Sequence, residues 1–194
     1  MKSRNVGHAD WTQFYSVRER IVQGAKTGAS EVLFVDCGGG IGHQAVRFRE
    51  QFPDAPGRVV VQDLRQGLPA QAPDGVEVME HDLFAEQPIK GARVYYLRWM
   101  AHQWGSETVT KLLSKLREAI ELGYSRLLIH DAVMAAKDPP IYMTTIDMTM
   151  LTIRGQERTL ALHRQMVEAA GLKFVAIHNP GDGVSECVVE AEVV

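Results

Sequence analysis

A glycine-rich turn supplies the first set of residues whose types and spacing could do chemistry. The stretch VDCGGGIG places Asp36, Gly38, Gly40 and Gly42 at alternate positions directly after an apolar run. Glycines permit backbone dihedral angles that other residues avoid, and they let a ligand approach the main chain with no Cβ in the way. In a parallel sheet, ligands bind beyond the carboxyl ends of the strands. The turn therefore predicts a cofactor site at the end of the first strand.

The spacing of these glycines separates two classes of cofactor. The dinucleotide pattern G-x-G-x-x-G would need glycine where His43 stands if it began at Gly38, and beginning at Gly40 it reaches Ala45, a weaker third member. The pattern D-x-G-x-G-x-G fits without exception and resembles motif I of S-adenosylmethionine (SAM)-dependent methyltransferases. SAM carries an ammonium and a sulfonium in place of a pyrophosphate, so a carboxylate such as Asp36 suits it. A nicotinamide reductase is the less favoured alternative.

Two further aspartates end the next two predicted strands. Asp63 could accept hydrogen bonds from both ribose hydroxyls, and Asp82, in HDLF, could meet an adenine amino group. Aspartate is common in turns, so one such residue alone would mean little. Three at consecutive strand ends indicate one cofactor site. We include the leucines that follow them, Leu64 and Leu83, in the predicted binding set.

His102 follows the fourth predicted strand, within ARVYYLRWMAHQWGSE. It therefore stands at the same edge as the predicted cofactor. A neutral imidazole, with a pKa of about 6.5, could take the proton of a phenol, whose pKa is about 10, as the oxygen reacts. A lone histidine is more often a hydrogen-bonded structural residue. Which interpretation holds depends on what the chain builds around it.

The elements that would position these residues alternate between strand and helix. Buried parallel strands are predicted at residues 31–37, 57–63, 75–82, 92–99 and 124–131, with helices at 42–52, 106–123 and 156–171. Ser106 is the predicted N-cap of the second of these helices, and Gly123 its C-terminal glycine. Segments 172–180 and 184–194 are too close for a crossover and should pair antiparallel. The pattern predicts a doubly wound α/β sheet with one reversed edge strand.

Domain limits and the remaining segments follow from the same patterns. Residues 1–30 are predicted to be a helical lead-in, with one helix over WTQFYSVRERIVQGA, and residues 31–194 the cofactor-binding domain. Met143, Ile146, Met150 and Ile153 share one predicted helical face, which is more often core than pocket.

Composition excludes several classes of protein. The 194 residues are 45% hydrophobic and 23% charged with a net charge of −3, which gives no reason to expect nucleic acid or an anionic membrane as partner. No apolar run approaches the ~20 residues that span a bilayer, and no signal peptide is evident. We expect a cytoplasmic protein in which Cys37 and Cys187 are reduced core thiols, with a disulfide as the less favoured alternative.

Several segments together resemble one family. LRWMAHQW resembles the segment L-K/R-W-x-x-H-D/N-W of the plant and fungal O-methyltransferases of the caffeate/flavonoid type. VDCGGGIGHQ, HDLF, GQERT and ECVVEAEVV resemble further segments of that family in the same order. The resemblance runs from about Trp11 to the C-terminus. It implies a Rossmann-like class I methyltransferase fold with a mostly parallel seven-stranded sheet, SAM as cofactor, and a small hydroxylated, phenolic acceptor from secondary metabolism.

The resemblance also implies residue roles. His102 would be the general base, and Asp131 and Glu157 would hold its ring, either of them accepting the second ring N–H. Arg98 would lie near the adenine, and Trp99 would stack on it or close over it. Position 103 is often Asp in the family, and Gln103 stands there.

Members of that family usually carry a further N-terminal region that dimerises and closes the acceptor pocket, and this chain has almost none of it. We therefore expect an acceptor site open to water, and exposed apolar surface that could drive homodimerisation or other self-association. A function of a different class stays open: a SAM-binding domain that binds cofactor or a partner without methyl transfer, or that catalyses a rearrangement or dehydration.

Overall fold

A computed structural model of the protein describes residues 10–181 and 186–194. The described residues form an α/β fold around one eight-stranded sheet. Its strands are β1 (Val32–Cys37), β2 (Arg58–Asp63), β3 (Glu77–Glu80), β4 (Val94–Arg98), β5 (Arg126–Met134), β6 (Arg158–Thr159), β7 (Lys173–His178) and β8 (Glu186–Glu192). The helices are α1 (Trp11–Phe14), α2 (His43–Gln51), α3 (Ser106–Arg117), α4 (Ile141–Leu151) and α5 (Leu160–Ala169).

The strand order is β3-β2-β1-β4-β5-β8-β7, and the two-residue β6 pairs with the end of β5. Strands β1 to β5 pair in parallel, so the predicted mostly parallel α/β sheet is confirmed. The predicted position of the reversed strand was wrong. β8 runs antiparallel between β5 and β7 and is therefore interior, while β7 forms the edge.

The burial of the two hairpin strands agrees with this order. All but the last residue of β8 are buried, whereas β7 has no fully buried residue. A strand that is buried on both faces needs neighbours on both sides, and a half-exposed strand tolerates the edge. β5 extends to Met134, beyond the predicted end at residue 131, and its last two residues pair with β6. Asp131 therefore lies inside β5 and not after it.

The N-terminal segment packs on the sheet but is not one helix. α1 is capped by Asp10, whose carboxylate accepts from the Thr12 N–H at 3.2 Å. The chain is extended at Tyr15 and then forms a separate π-helical turn at Arg18–Val22. Trp11 and Tyr15 are almost completely buried. Residues 1–9 of the predicted lead-in lie outside the described residues.

The long helix after the fourth strand is shorter than predicted. α3 ends at Arg117, and Gly123 has a φ of +73° in the turn before β5. Gly105, not Ser106, occupies the N-cap position. The Ser106 hydroxyl is instead directed at the segment before α5, where it lies 3.3 Å from Gln156 Oε1.

α4 is apolar on nearly all sides, yet most of it is exposed. Met143 is buried, but Ile141, Met148 and Leu151 are 86%, 66% and 61% exposed. The face predicted to be shared by Met143, Ile146, Met150 and Ile153 is therefore only partly packed, and Ile153 lies beyond the helix end and is exposed as well.

In the described part of the chain no helix is long and apolar enough to cross a membrane. Cys37 and Cys187 are buried and form no disulfide, as expected.

Candidate active site

The glycine turn adopts the conformations that its sequence predicts. Gly38, Gly40 and Gly42 have φ angles of +72°, +57° and +82°, which favour glycine. The N–H of Gly38 donates to the carbonyl of Gln62 at 2.8 Å, which attaches the turn to β2. A Cβ on Gly38 would lie 2.7 Å from Cε of Met100. The turn is thus a close-packed backbone cradle between the ends of β1, β2 and β4.

Asp36 lies beneath this cradle. Its side chain is buried, and a Cβ built on Gly39 would overlap its carboxyl carbon. Burial raises the pKa of Asp36 to about 7, against the opposing effects of the Ala45 N–H and the Arg98 guanidinium. Its Oδ2 atom has no hydrogen-bond partner among the described residues. Asp36 is therefore a buried acid under the turn that is only partly ionised near neutral pH.

Asp63 joins the glycine turn to the next loop. Its Oδ2 accepts from the N–H of Gly40 at 2.8 Å, and its Oδ1 accepts from the N–H of Leu64 at 2.7 Å. A Cβ on Gly67 would lie 2.5 Å from Oδ1, so this loop can approach only because residue 67 is glycine. A carboxylate has about four acceptor sites, which leaves Asp63 able to accept from a ligand as well.

Apolar side chains stand exposed on three adjacent loops at this edge. Ile41 follows β1, Leu64 follows β2 and Phe84 follows β3, and they are 51%, 46% and 41% exposed. Asp82 shapes the third loop, since its Oδ1 accepts from the N–H of Phe84 at 2.9 Å. Leu83 is buried beside it and packs into the core. Exposed apolar side chains at this edge suit a flat heterocyclic base.

Arg98 and Trp99, which were predicted to lie near the adenine, follow each other at the end of β4. The Arg98 guanidinium lies 4.8 Å from the centre of the Trp99 ring and donates to Glu186 Oε2 at 3.1 Å. Trp99 has a φ of +53°, a conformation that costs roughly 1–3 kcal/mol outside glycine. Two bonds hold it there: its N–H donates to the His130 carbonyl at 3.1 Å, and Gln103 Nε2 donates to its carbonyl at 2.7 Å. The aspartate that is often found at position 103 in the resembling family could not make this bond, because a carboxylate has no N–H to donate.

A buried polar chain behind Arg98 was not found from the sequence. The Tyr96 hydroxyl lies 2.6 Å from His130 Nδ1, and His130 Nε2 lies 3.2 Å from Glu186 Oε2. Burial opposes ionisation of Glu186, but His130 and Arg98 outweigh it and lower the pKa of Glu186 to about 2. Glu186 is therefore an ionised anchor for Arg98.

His102 lies in a short 3₁₀ turn after β4, and its side chain is 16% exposed. Its Nδ1 is 2.8 Å from Oε1 of Glu157. Because a carboxylate only accepts, Nδ1 carries the proton and the lone pair is on Nε2. Burial lowers the pKa of His102, but Glu157 and Asp131 outweigh it and the net pKa is raised.

Asp131 approaches the same ring without taking the hydrogen bond. It is buried, and neither of its carboxylate oxygens has a side-chain partner among the described residues. Burial raises its pKa to about 7, with Glu157 adding to the effect and His102 and Arg158 opposing it. Of the two acids that were expected to hold His102, Glu157 makes the bond, and Asp131 is a nearby buried acid that is only partly ionised near neutral pH.

The segment before α5 contacts the His102 turn more extensively than the sequence indicated. The Gln156 N–H donates to the His102 carbonyl at 2.8 Å, and a Cβ built on Gly155 would overlap that carbonyl oxygen. Arg158 lies in the same segment and is almost completely buried. No role was predicted for Gly155, Gln156 or Arg158, although a glycine directly before QERT is a signal of close backbone approach.

A recess at another place on the described part of the chain differs from this edge in its side chains. This recess opens at the amino ends of β2 and β3, where Arg49, Arg58 and Glu77 are among its lining residues. Arg58 and Glu77 pair with each other across its rim. Within the described ranges, no cluster of His, Cys, Asp or Glu is arranged to hold a metal ion. The carboxyl edge is therefore the candidate active site.

Comparison with known proteins places these features in context. A model of the O-methyltransferase domain family matches residues 19–173. The O-methyltransferase mpaG of Penicillium brevicompactum is 38% identical over 199 aligned residues, which cover 100% of this chain and 50% of mpaG. The O-methyltransferase gsfD of Penicillium aethiopicum is 42% identical over 156 residues, covering 78% of this chain and 41% of gsfD. This chain thus spans about half the length of these relatives.

Solved structures give the same picture. A LepI variant in complex with SAH and a substrate analogue superposes with a TM-score of 0.88 at 26% identity, covering 96% of this chain and 49% of that one. OxaC in complex with SAH and oxaline superposes with a TM-score of 0.86 at 27% identity, covering 99% of this chain and 49% of that one. A protein described as a pericyclic reaction enzyme matches at a TM-score of 0.87 and 26% identity, covering 96% of this chain and 49% of that one.

Proposed function

This chain belongs to the O-methyltransferase domain family, and from that membership we propose that it carries the catalytic site of a SAM-dependent O-methyltransferase. The acceptor would be a hydroxyl, phenolic in character, on a small secondary metabolite. The observation that carries the proposal is the 2.8 Å contact between His102 Nδ1 and Glu157 Oε1. It leaves the lone pair of Nε2 available at the edge where the glycine cradle lies.

The residues at the cradle fit SAM. When bound there, SAM supplies an electrophilic methyl group on a sulfonium. Asp63 would accept hydrogen bonds from the ribose hydroxyls with the lone pairs that Gly40 and Leu64 leave unused. Asp82 and the exposed side chain of Phe84 would meet the adenine. A cation bound nearby would favour the ionised form of Asp36, so this buried carboxyl suits a cationic ligand better than a pyrophosphate.

On the acceptor side, His102 would take the hydroxyl proton through Nε2 as the oxygen attacks. Full proton transfer from a phenol to imidazole in water is uphill by about 5 kcal/mol, from pKa values of about 10 and 6.5. The raised pKa of His102 reduces this difference. Glu157 would stabilise the imidazolium that forms, and Asp131, whose ionised form is favoured by a positive charge on His102, would add to this effect.

A small-molecule acceptor is supported by two observations. The relatives OxaC and LepI have been solved with oxaline and with a substrate analogue. In this chain, α4 lies next to the His102 region, because Asp147 on α4 accepts from the N–H of Glu157 at 2.9 Å. α4 also carries Tyr142, which is 40% exposed and whose aromatic side chain suits an aromatic ring.

A second candidate function, SAM binding without methyl transfer, is supported by the similarity to the pericyclic reaction enzyme. The pericyclic reaction enzyme matches this chain as closely as OxaC does, so the same domain could bind SAM without transferring its methyl group. Methyl-labelled SAM separates the two. Incubation with a panel of phenols should give labelled products that vanish in His102→Ala. Conversion of an acceptor without incorporation of label would replace methyl transfer with the second function.

We also propose that the exposed apolar side chains of α4 promote self-association into a homodimer. Ile141, Met148 and Leu151 expose apolar surface that is unfavourable in water. Sedimentation velocity should show a dimer for the wild type and a shift to monomer in Leu151→Lys. A monomeric wild type at high protein concentration would refute this proposal.

A further inference from the structure

We propose that Arg158 is a positioning residue for His102, because it holds the turn that carries the imidazole and places one positive charge beside the two carboxylates at the ring. This inference rests on the proposed function, from which the role of His102 as a base is taken. Its structural content, the restraint of the turn and the balance of charge, can be measured without turnover.

Arg158 donates to the backbone on both sides of His102. Its Nη1 donates to the carbonyl of Ala101 at 2.7 Å, and its Nη2 donates to the carbonyl of Trp104 at 2.6 Å. Its Nε lies 3.3 Å from the hydroxyl of Ser106, the first residue of α3. One side chain therefore fixes the start of the turn, its end, and the beginning of the next helix.

The backbone around Arg158 adds to this restraint. The Gln156 N–H holds the His102 carbonyl at 2.8 Å, so three of the four carbonyls from residue 101 to residue 104 are bound by residues 156–158. Arg158 itself pairs with Val133 in the short β6–β5 ladder. The restraint is therefore anchored to the central sheet.

Arginine is chemically suited to this position. Its planar fork of five N–H donors can serve two separate carbonyls, whereas lysine offers a single ammonium at the end of a flexible chain. The donor bonds observed for Arg158 go to carbonyls and to Ser106, and within the described part of the chain none goes to Asp131 or Glu157. Both carboxylates therefore remain available to act on His102.

The charges around His102 oppose one another. Glu157 and Asp131 raise the pKa of the imidazole, and the Arg158 guanidinium lowers it. His163 on α5 faces Arg158, but burial, together with the charge of Arg158, lowers the pKa of His163 to about 4, so it adds no charge near neutral pH. Asp147 on α4 accepts from the Glu157 N–H and adds a further negative charge in contact with this segment.

Removal of the Arg158 charge should therefore raise the pKa of His102. A higher pKa keeps the imidazole protonated, and unable to accept a proton, up to a higher pH. The acidic limb of the kcat–pH profile should move to higher pH. Loss of the fork should separately lower kcat, because the imidazole is no longer held in its reactive position.

Three variants of the full chain separate these effects. Arg158→Met removes charge and fork, Arg158→Lys keeps the charge but not the fork, and Arg164→Met removes an exposed arginine of α5 as a control. We expect Arg158→Met to lower kcat by about 10- to 100-fold, with the acidic limb moved up by at least about half a pH unit. Arg158→Lys should keep the acidic limb of the kcat–pH profile at the wild-type pH but show a reduced kcat. The KM for SAM should change less than about twofold in both Arg158 variants. Arg164→Met should match the wild type.

A titration of ring-labelled histidines by NMR tests the same point without turnover, with the His102 signal identified by its loss in His102→Gln. An unchanged His102 pKa in Arg158→Met, or a wild-type kcat in Arg158→Lys, would overturn the inference. If Arg158→Met does not fold, Arg158→Gln replaces it, with the same upward shift expected. A wild type that transfers no methyl group but shows the shift would remove the proposed function and leave the positioning role standing.

Discussion

The Nδ1 atom of His102 lies 2.8 Å from Oε1 of Glu157, a contact between residues 55 positions apart in the chain. It joins the turn after β4 to the segment before β6. The bond fixes which ring nitrogen carries the proton and leaves the other available to an acceptor.

His102→Gln should abolish most of the methyl transfer while leaving the cofactor site intact. A general base contributes about 10²- to 10⁴-fold to a rate, so kcat should fall within that range. Isothermal titration calorimetry should give an unchanged Kd for SAM. Transfer at the wild-type rate would remove His102 as the base, although the SAM site would still stand.

Glu157→Gln should move the pH profile in the direction opposite to that of Arg158→Met. Glu157 raises the pKa of His102, so its replacement by an uncharged amide should lower that pKa and shift the acidic limb of kcat to lower pH. kcat itself should fall because the imidazolium loses its partner. The kcat–pH profiles of Glu157→Gln and Arg158→Met, recorded in the same buffers, show whether the two shifts have opposite directions. Shifts in the same direction would contradict the charge balance described here.

Asp63→Ala should weaken SAM binding. The substitution removes the proposed ribose contacts and the acceptor that holds the Gly40 N–H. Loss of such bonds costs about 1–3 kcal/mol, which corresponds to a roughly 5- to 150-fold higher Kd by calorimetry. Asp74→Ala, at an exposed aspartate before β3, is the matched control and should bind as the wild type does. Equal affinity for SAM in the two variants would exclude Asp63 as a ligand.

Gly155→Ala should disturb the His102 turn through a steric effect. A Cβ at this position would overlap the His102 carbonyl oxygen, so the two segments must move apart. We expect kcat to fall by about tenfold or more, since small misplacements of a catalytic group are costly, with the Kd for SAM unchanged. Gly105→Ala is the control, because its φ is −64° and no atom lies within 4 Å of the added Cβ. Equal kcat values for the two variants would disprove the steric argument.

Asp131→Asn should stabilise the fold more at high pH than at low pH. Burial raises the pKa of Asp131 from 3.8 to about 7, so the folded state holds a proton that the unfolded state has already lost. The carboxyl therefore contributes a loss of stability as the pH rises from about 4 to about 7. Thermal melts of wild type and Asp131→Asn at pH 5 and pH 8.5 should show a larger gain in Tm at pH 8.5. An equal difference at both pH values would contradict the raised pKa.

The conformation of the glycine turn and the strand ends beside it were predictable from the sequence because their signals are local. Glycines at alternate positions after a buried run, and Asp63 and Asp82 at strand ends, indicate their conformation within a few residues. Parallel strands then place their carboxyl ends at one edge whatever the details of packing. The roles of Asp63 and Asp82 in binding stay predictions.

The features that the sequence did not reveal depend on distant partners. Arg158 bonds main-chain carbonyls, which every residue possesses, so nothing in the spacing of side chains points to Ala101 or Trp104. The interior position of β8 depends on competition between two strands of a hairpin for the place beside β5. Neither follows from local periodicity.

The interior position of β8 also determines the order in which the sheet can be completed during synthesis. Among the described strands, β7 pairs only with β8, so it has no neighbour until residues 186–192 have left the ribosome. Arg98 meets Glu186 only at that same late step, since Glu186 is the first residue of β8. A nascent chain halted before β8 would contain every residue of the glycine turn but would lack the neighbour of β7 and the carboxylate that accepts from Arg98.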